Sequence, residues 1–321
     1  MIKDGVINFI QSVFKQEFNN AEVSGWLQVN GTTLSGNLNN AFFHKTKFYA
    51  PSLNQKYLHF TKAGSAVKIL QSGSLWLSNL NSFNDRLEFL LAASKLFHLP
   101  IESLAEYKDK LFAMCFTELN NSQSVHTDFP YHWQRYSDEG TGIAFEFEFG
   151  PSKFKDGFVP ELEDPVLFPF YYLIRVQYFN DLETDETFAR LALEFSKITT
   201  TAELNETALI EFLFPLLSAY KREFDGNEKF ASEKEVRLFY CDGNDPRDCD
   251  SYDFNSREET FAGLEREFRP FRQIPFTITN SGDTFLKLRC IYMGRNISDV
   301  DSSSIIECAS KLGIAIKQDF H

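Results

Sequence analysis

The chain has 321 residues and a formal net charge of −13, and its sequence pI is near 5.0. Its length suits one large domain or two modest ones, and its acidity disfavours non-specific binding to nucleic acid or anionic membranes, because phosphate binding needs a basic surface. No signal-peptide pattern opens the sequence, and no apolar run approaches the length of a membrane span. These properties predict a cytoplasmic protein that does not enter a membrane.

The cysteines favour free thiols over disulfides or a metal site. The five are Cys115, Cys241, Cys249, Cys290 and Cys308, an odd number without a CxxC pair. Cys241 and Cys249 flank a loop rich in Asp and Gly, but no histidine lies near them. We therefore expect reduced thiols and no metal.

The N-terminal residues look different from the rest of the chain. Residues 4–18 place apolar side chains on one helical face, which predicts an amphipathic helix packed on the main body or, alternatively, bound to a partner protein. Residues 19–55 are rich in Asn, Gly, Ser and Thr and contain the turn sequence Val29-Asn-Gly-Thr32. We divide the chain into an N-terminal helical and loop extension, 1–55, and a single α+β domain, 56–321.

Strands and helices alternate through the first half of this domain. A glycine at position 73 is typical of a helix C-terminus, and Asn84 or Asp85 can N-cap a later helix. Alternating phenylalanines predict a half-buried strand over 141–149. The full set of expected elements is a strand at 56–61, a helix at 63–71, a strand at 74–78, helices after 85 and at 101–109, a buried strand at 111–116, helical turns at 131–136 and the strand at 141–149.

The second half continues in the same way. Expected are a long aromatic strand at 166–179, helices at 184–197 and 202–224, strands at 233–240, 274–279 and 285–293, a helix at 302–311 and a strand at 313–317. No internal repeat or strong linker divides these segments. The pattern predicts an α+β fold with a mixed or antiparallel central sheet and flanking helices.

Two groups of residues on predicted elements suit a nucleotide ligand. His59 and Thr61 share one face of the first strand and could hold a ribose hydroxyl or a carboxamide; the alternative is a structural histidine. One helical turn carries His132, Trp133, Arg135 and Tyr136, an aromatic platform with a cation for phosphate. Trp133 and Tyr136 could instead anchor that helix on the sheet.

Acidic side chains supply the candidate reactive groups. Glu233, Glu235 and Arg237 alternate along a predicted strand, so period two places them on one face. A carboxylate there could stabilise an oxocarbenium-like transition state, with Arg237 orienting it and keeping it ionised; an exposed strand face with Glu–Arg pairing is the alternative. Asn84 and Asp85 are explained by helix capping or by substrate contact at the mouth of the site.

Short motifs in a fixed order carry a resemblance over roughly residues 57–317. They are Tyr57-Leu-His-Phe-Thr61, Ile69-Leu-Gln-Ser-Gly-Ser-Leu-Trp-Leu-Ser78, Phe83-Asn-Asp85, Cys115-Phe-Thr117, Trp133-Gln-Arg-Tyr136 with Gly140 to Phe145, Glu233-Lys-Glu-Val-Arg-Leu238 and Ile291-Tyr-Met-Gly294. The chain resembles a large bacterial family of unknown function with the pattern HYT, FND, CFS, WxxY and ExExR. It departs from that pattern at Phe60, Arg86 and Thr117.

The layout of that family is similar to the ADP-ribosyltransferase fold of the His-Tyr-Glu type. The resemblance implies that His59 binds the nicotinamide-side ribose of NAD, that Tyr136 stacks nicotinamide, and that Glu235 or Glu233 supports transfer. It further implies a Thr61 contact to NAD and an Arg135 contact to phosphate, with Trp133 as the alternative stacking residue.

The expected function is therefore that of an NAD-dependent ADP-ribosyltransferase-like enzyme, with a role as a toxin or an anti-phage defence effector, whose acceptor is a protein or a nucleic acid. One alternative is a non-catalytic module that binds or senses a nucleotide. Another is an RNA-targeting toxin that needs no NAD and uses His59 and the glutamates as acid and base.

Overall fold

Alternating strands and helices build most of the chain. In the computed structural model, the residues described are 7–9, 11–12, 27–30, 33–36, 47–48, 55–83, 87, 89–149, 171–182, 185–199, 206–225, 228–241, 257–260, 268–276 and 286–317. The helices are α1 (Ala63–Ser72), α2 (Leu90–Phe97), α3 (Ile101–Leu104), α4 (Pro130–Tyr136), α5 (Glu186–Thr199), α6 (Glu206–Leu217) and α7 (Asp299–Leu312), with short 3-10 turns at 80–82, 105–110 and 230–233. Residues 7–9 and 11–12 are also helical.

The strands are numbered in chain order. They are β1 (Leu27–Asn30), β2 (Thr33–Gly36), β3 (Lys56–Thr61), β4 (Ser74–Asn79), β5 (Leu111–Leu119), β6 (Ile143–Phe149), β7 (Tyr171–Arg175), β8 (Gln177–Phe179), β9 (Tyr220–Arg222), β10 (Phe224–Asp225), β11 (Glu228–Lys229), β12 (Glu235–Cys241), β13 (Arg257–Thr260), β14 (Phe268–Pro275), β15 (Leu286–Met293) and β16 (Ala315–Lys317).

A ten-stranded mixed sheet forms the centre of the molecule. Its main path is β13-β14-β4-β5-β3-β6-β15-β16, and β12 joins β5 to β7. The β15–β16 pair is parallel, whereas the other pairs of this sheet are antiparallel. Helices cover this sheet, so the predicted mixed sheet with flanking helices is confirmed.

The two faces of the sheet carry separate hydrophobic clusters. On one face, side chains of β5, β6 and β12 pack with α1 and α7. On the opposite face, Ala113 and Phe239 pack with α2, α5 and α6, while Leu58 and Phe60 pack with Trp133 of α4. Successive residues of a strand point to opposite faces, which is why Phe112 and Ala113 belong to different clusters.

Strand β5 has three partners, and their arrangement opens a gap along one of its edges. Its residues 111–117 pair with β12. On the other edge β4 pairs at residues 112–113 and β3 at 117–119. On this second edge, residues 114–116 lie between the two pairings, and none of the described strands pairs with them there. We call it the β5 gap.

Several predicted elements are confirmed with small shifts in their bounds. Strand β3 covers 56–61 as expected, and Gly73 ends α1 with a φ of 62°, the left-handed conformation that glycine adopts most easily. The two strands that flank the predicted Asn-Gly turn pair as a hairpin.

The predicted helix over 202–224 ends early, at Leu217. Pro215 lies in its last turn, where it removes one helical hydrogen bond, and residues 218–219 form a turn. The chain then extends into β9, which pairs in parallel with β8 outside the central sheet. Lys221, expected on a helix, therefore lies on a strand.

Two predicted strands also differ from the structure. The strand expected to be half-buried over 141–149 is buried on both faces, because Phe145 and Phe147 pack with α1 and α7 on one side and Ala144 packs with Trp133 of α4 on the other. The described part of the strand expected over 166–179 is interrupted at Val176, whose N–H donates to the carbonyl oxygen of Glu235. From there the chain leaves β12 and pairs with β9.

The described residues of the N-terminal segment pack with the domain. Ile7, Phe9 and Phe48 are buried in the cluster that contains α6. Most of the predicted helix over 4–18 lies outside the described residues, as do Asn84 and Asp85 and their predicted capping role. The division at residue 55 stays a prediction.

Candidate functional site

A group of buried charged side chains lies on the face of the sheet that packs with α2, α4, α5 and α6. Glu235 and Arg237 project from the same face of β12, and their partners on β5 are Thr117 and Cys115. Lys221 reaches this group from β9. Together with Glu233 these residues form what we call the central cluster, which consists of Lys221, Glu233, Glu235 and Arg237; at most 8% of each side chain is exposed.

Each charge in the central cluster faces an opposite charge. Arg237 binds the Glu235 carboxylate with two nitrogens, Nε to Oε1 and Nη2 to Oε2 at 2.9 Å. Its Nη1 donates to the carbonyl oxygen of Ser218 at 3.1 Å. Lys221 Nζ lies 2.6 Å from Glu233 Oε2 and 3.1 Å from Glu235 Oε2. Burying charges is costly unless they are paired and hydrogen-bonded, and here they are.

Two side chains of helix α4 contact Glu233 of the central cluster. The Tyr136 hydroxyl donates a hydrogen bond to Glu233 Oε1. His132 Nε2 lies 2.9 Å from the Glu233 carbonyl oxygen, and since a carbonyl only accepts, this nitrogen carries the proton. Tyr136 is half-buried, whereas Glu233 is buried; we call their contact the Tyr136–Glu233 end of the central cluster.

Glu233 reaches the cluster by a different route from the one its spacing predicts. It ends a 3-10 turn, and β12 begins only at Glu235. Between them Lys234 has a φ of 45°, an uncommon conformation for a residue with a side chain. The prediction of one continuous strand face for Glu233, Glu235 and Arg237 is therefore wrong in its geometry, although Lys221 does bring the two carboxylates together.

Burial dominates the electrostatics of the cluster. It raises the pKa of Glu235 to about 7, aided by the negative charge of Glu233 and opposed by Lys221. Burial alone would lower the pKa of Lys221, but the charges of Glu235 and Glu233 outweigh it and hold that pKa well above its usual value. Perturbed groups of this kind concentrate at functional sites, although structural ion networks show them too.

Neighbouring hydroxyl and thiol groups remain neutral. Burial, followed by the charge of Glu233, raises the pKa of Tyr136 far above its usual value. Burial and the charge of Glu235 do the same to the pKa of Cys115 and of Tyr178. These three groups thus act as hydrogen-bonding partners of the cluster.

The two carboxylates differ in how many donors they already hold. A carboxylate accepts about four hydrogen bonds. Glu235 receives two from Arg237, one from Lys221 and one from the Cys115 thiol. Glu233 receives one from Tyr136 and one from Lys221. Counting donors from the described residues alone, Glu233 is the carboxylate with acceptor positions left for a ligand.

His59 lies on the other face of the sheet. Leu58 pairs with Thr117, and Thr117 pairs with Glu235, so these three residues share a face and the adjacent His59 does not. Its Nδ1 lies 3.0 Å from the carbonyl oxygen of Cys115, within the β5 gap. Nδ1 must carry the proton in this bond, which makes Nε2 the acceptor nitrogen. Burial lowers the pKa of His59, consistent with a neutral ring.

Thr61 is buried at the end of β3, on the same face as His59. The chain passes close to it, because a Cβ added at Gly142 would lie only 2.1 Å from the Thr61 carbonyl oxygen. The structure thus keeps His59 and Thr61 together and separates both from the central cluster by the thickness of the sheet.

The remaining predicted residues of α4 differ in position. Trp133 is buried, donates Nε1–H to the carbonyl oxygen of Val125 at 2.8 Å, and stacks on His126 with ring centres 5.0 Å apart. Phe60 packs edge-on against the same indole. These contacts match the alternative in which Trp133 anchors the helix. Arg135 is exposed on the outer side of α4.

Sequence reasoning missed several members of this site. Lys221, Tyr178 and Cys115 were not assigned to it. Tyr178 accepts a hydrogen bond from the Glu235 N–H at 3.1 Å, and the ring of Phe230 lies 4.7 Å from Lys221 Nζ. A cation for two buried carboxylates is a physical requirement, but only the fold identifies Lys221 as that cation.

The described part of the chain contains no group of three or more His, Cys, Asp or Glu residues placed to hold a metal ion. Likewise, none of the described helices is both long enough and apolar enough to cross a membrane. Comparisons with known proteins gave no match to a family model, to a curated protein or to a solved structure.

Proposed function

We propose that the protein is an NAD-using enzyme of the ADP-ribosyltransferase-like type, with its reaction centre at the Tyr136–Glu233 end of the central cluster. One observation carries this proposal. A buried carboxylate that receives two hydrogen bonds from the described residues, fewer than it can accept, lies in contact with a half-buried aromatic side chain. That pairing suits a ligand in which a flat cationic ring is bonded to a sugar.

The chemistry follows from the charges. Loss of nicotinamide leaves an oxocarbenium-like ribosyl group, which a fixed carboxylate stabilises as positive charge develops. In this proposal Glu233 faces the ribosyl carbon and the Tyr136 ring lies beside nicotinamide. Glu235 acts one step away, because Arg237 and Lys221 already occupy it and it shares Lys221 with Glu233.

The part that His59 plays in this proposal depends on the path that NAD takes past the sheet. Its Nε2 is a hydrogen-bond acceptor, the property needed to hold a ribose hydroxyl. Because the sheet separates His59 from Glu233, one NAD molecule contacts both only if it crosses the sheet at the β5 gap. NAD bound on the cluster face alone would contact Tyr136 and Glu233 without His59.

The proposal extends to fold and biological role. It includes an ADP-ribosyltransferase-like arrangement of the central sheet, and a toxin or anti-phage effector that modifies a protein or nucleic acid acceptor. Arg135, exposed beside Tyr136 on α4, is the proposed phosphate contact.

Release of nicotinamide from NAD by the purified protein is the test. We expect release by the wild type and at least a ~100-fold lower rate for Glu233→Gln, since removing one group that stabilises transition-state charge costs about that much. Glu307→Gln, on the exposed surface of α7 where Glu307 pairs with Lys311, is the matched control and should leave the rate unchanged. Absence of release and of NAD binding by calorimetry would overturn the proposal.

A second candidate is a non-catalytic nucleotide-binding module. The pairing within the central cluster favours it, because each buried charged side chain lies against an oppositely charged partner, as in a purely structural ion network. This candidate predicts saturable NAD binding without nicotinamide release, and a Tyr136→Ala variant that loses affinity.

A further inference from the structure

Lys221 occupies an unusual position in the site. It lies on β9, which pairs with β8 and not with the central sheet, yet its ammonium group enters the central cluster. Nζ lies 2.6 Å from Glu233 and 3.1 Å from Glu235, and only 8% of the side chain is exposed. A separate strand thus delivers the one cation that bridges both carboxylates among the described ion pairs.

Two carboxylates so close together need this cation. Like charges at short distance cannot both remain ionised, and one of them takes up a proton unless a positive charge intervenes. Arg237 uses Nε and Nη2 on Glu235 and Nη1 on the Ser218 carbonyl oxygen. The described ion pair of Glu233 is made with Lys221.

We propose that Lys221 is a positioning residue of this site, which holds the Glu233 carboxylate against Tyr136 and, as the cation between the two carboxylates, opposes protonation of Glu235. The meaning of this role for a reaction rests on the proposed NAD chemistry, whereas the coupling between Lys221 and the carboxylates can be tested without it. Lys221 makes no contact with the substrate in this proposal and acts through the two carboxylates.

Every element packed around Lys221 contributes to its surroundings. The titratable and charged groups around it are Cys115 from β5, Tyr136 from α4, Tyr178 from β8, Glu233 from the 3-10 turn, and Glu235 and Arg237 from β12; His132 of α4 contacts Glu233. Burial raises the pKa of the two tyrosines and the thiol and lowers the pKa of His132, so these groups are neutral near pH 7. Lys221 and Arg237 are therefore the cations of this group.

The experiment follows the carboxylates directly. Glutamate carboxyl carbons labelled with ¹³C are titrated by NMR in the wild type, Lys221→Met and Lys221→Arg, and the Glu233 and Glu235 signals are assigned with their Gln variants. Met keeps most of the length of Lys without its charge, whereas Arg restores the charge. We expect the titration midpoint of Glu235, whose pKa Lys221 lowers, to rise by at least about one pH unit in Lys221→Met, a tenfold change in proton affinity, and to return in Lys221→Arg.

The pH profile of nicotinamide release gives a second readout. Its acid limb should move to higher pH in Lys221→Met by the same amount, because Glu235 then keeps its proton to higher pH and the carboxylate pair offers less negative charge to the ribosyl group. A purely structural role would lower the amount of active protein without moving this limb. Lys311→Met, which removes an exposed lysine of α7, is the control and should change neither readout.

The outcomes separate the two proposals. A midpoint that stays fixed in Lys221→Met overturns the role of Lys221, even if nicotinamide is released normally. A shifted midpoint in a protein that releases no nicotinamide supports Lys221 and rejects the NAD reaction. Should Lys221→Met fail to fold, the wild-type ¹⁵Nζ signal decides: a protonated, slowly exchanging ammonium up to pH 10 supports the proposal, and deprotonation below pH 9 overturns it.

Discussion

At the scale of single residues, Arg237 and Glu235 show how the fold holds charges away from water. They lie two positions apart on β12, and at most 3% of either side chain is exposed. Removing two charges from water costs several kcal/mol per ion, and their attraction offsets this only when the geometry is good. The bidentate contact, the Ser218 carbonyl oxygen and Lys221 supply that geometry.

Replacing Arg237 should therefore destabilise the folded state. We expect Arg237→Met to lower the free energy of unfolding by about 3–5 kcal/mol, because it leaves Glu235 without its main partner. The matched control is Arg289→Met, which breaks the more exposed pair with Glu148 and should cost less than about 1 kcal/mol. Urea unfolding followed by circular dichroism measures both, and equal losses in the two variants would contradict the interpretation.

The raised pKa of Glu235 also predicts that the free energy of unfolding depends on pH. Its pKa rises from 4.5 to about 7 on folding, so the folded state binds more protons than the unfolded state between these values. Stability from this group is present below pH 4.5 and is lost as pH rises towards 7. At ~1.4 kcal/mol per pKa unit the loss is roughly 3 kcal/mol.

Other groups titrate in the same range, so a difference measurement is needed. The free energy of unfolding of the wild type minus that of Glu235→Gln should fall as pH rises from 4.5 to 7 and then remain constant. Denaturant unfolding at a series of pH values provides this difference. A difference that rises with pH would show that the folded-state pKa of Glu235 is depressed.

At the scale of elements, the loop after α4 is held in a strained path. Asp138, Glu139 and Gly140 have successive positive φ angles of 56°, 56° and 83°, which residues with side chains seldom adopt. Gly142 then passes against β3, and its N–H donates to the Ser137 carbonyl oxygen at 2.8 Å. The loop thereby fixes α4, and with it Tyr136, relative to the end of β3.

A methyl group should not be tolerated at the contact with β3. In Gly142→Ala the new Cβ would lie 2.1 Å from the Thr61 carbonyl oxygen and 3.0 Å from the Lys62 Cα. The backbone must move, at a cost of about 1–3 kcal/mol or more. Gly64→Ala is the control, since nothing lies within 4 Å of its added Cβ; in helix α1 it should stabilise the protein by up to about 1 kcal/mol. Thermal unfolding distinguishes them, and similar melting temperatures would refute this explanation.

Hydrophobic patterns in the sequence predicted the positions of helices and strands better than they predicted the contacts between them. The run Lys56–Thr61 and the glycine at 73 specify a strand and a helix end by local chemistry alone. The end of α6 at Leu217 was not evident from the sequence, because the residues that follow are compatible with a helix. They form strand β9 in the structure through pairing with β8. As long as residues 220–222 were expected to be helical, Lys221 could not be placed beside Glu233. The separation of His59 from Glu235 likewise depends on the pairing of β3 and β12 with β5, which no single segment encodes.

At the scale of the whole molecule, net charge governs non-specific contacts. With a formal charge of −13, the surface repels polyanions. We expect the protein to pass through a heparin column at low salt and to bind an anion exchanger at pH 7. Retention on heparin would reveal a local basic surface and would favour the RNA-targeting alternative.

Strand β5 receives β12 along residues 111–117, and this pairing joins distant parts of the chain. Tyr136 and Glu233, which meet in the site, are 97 residues apart in sequence. At a synthesis rate of roughly 5–20 residues per second, about 5–20 s separate their appearance on the ribosome. During that time the β12-binding edge of β5 has no partner from its own chain, and an unpaired strand edge is a template for aggregation. The nascent chain should therefore depend on chaperones until residue 241 has emerged, and the candidate site should form only after that point.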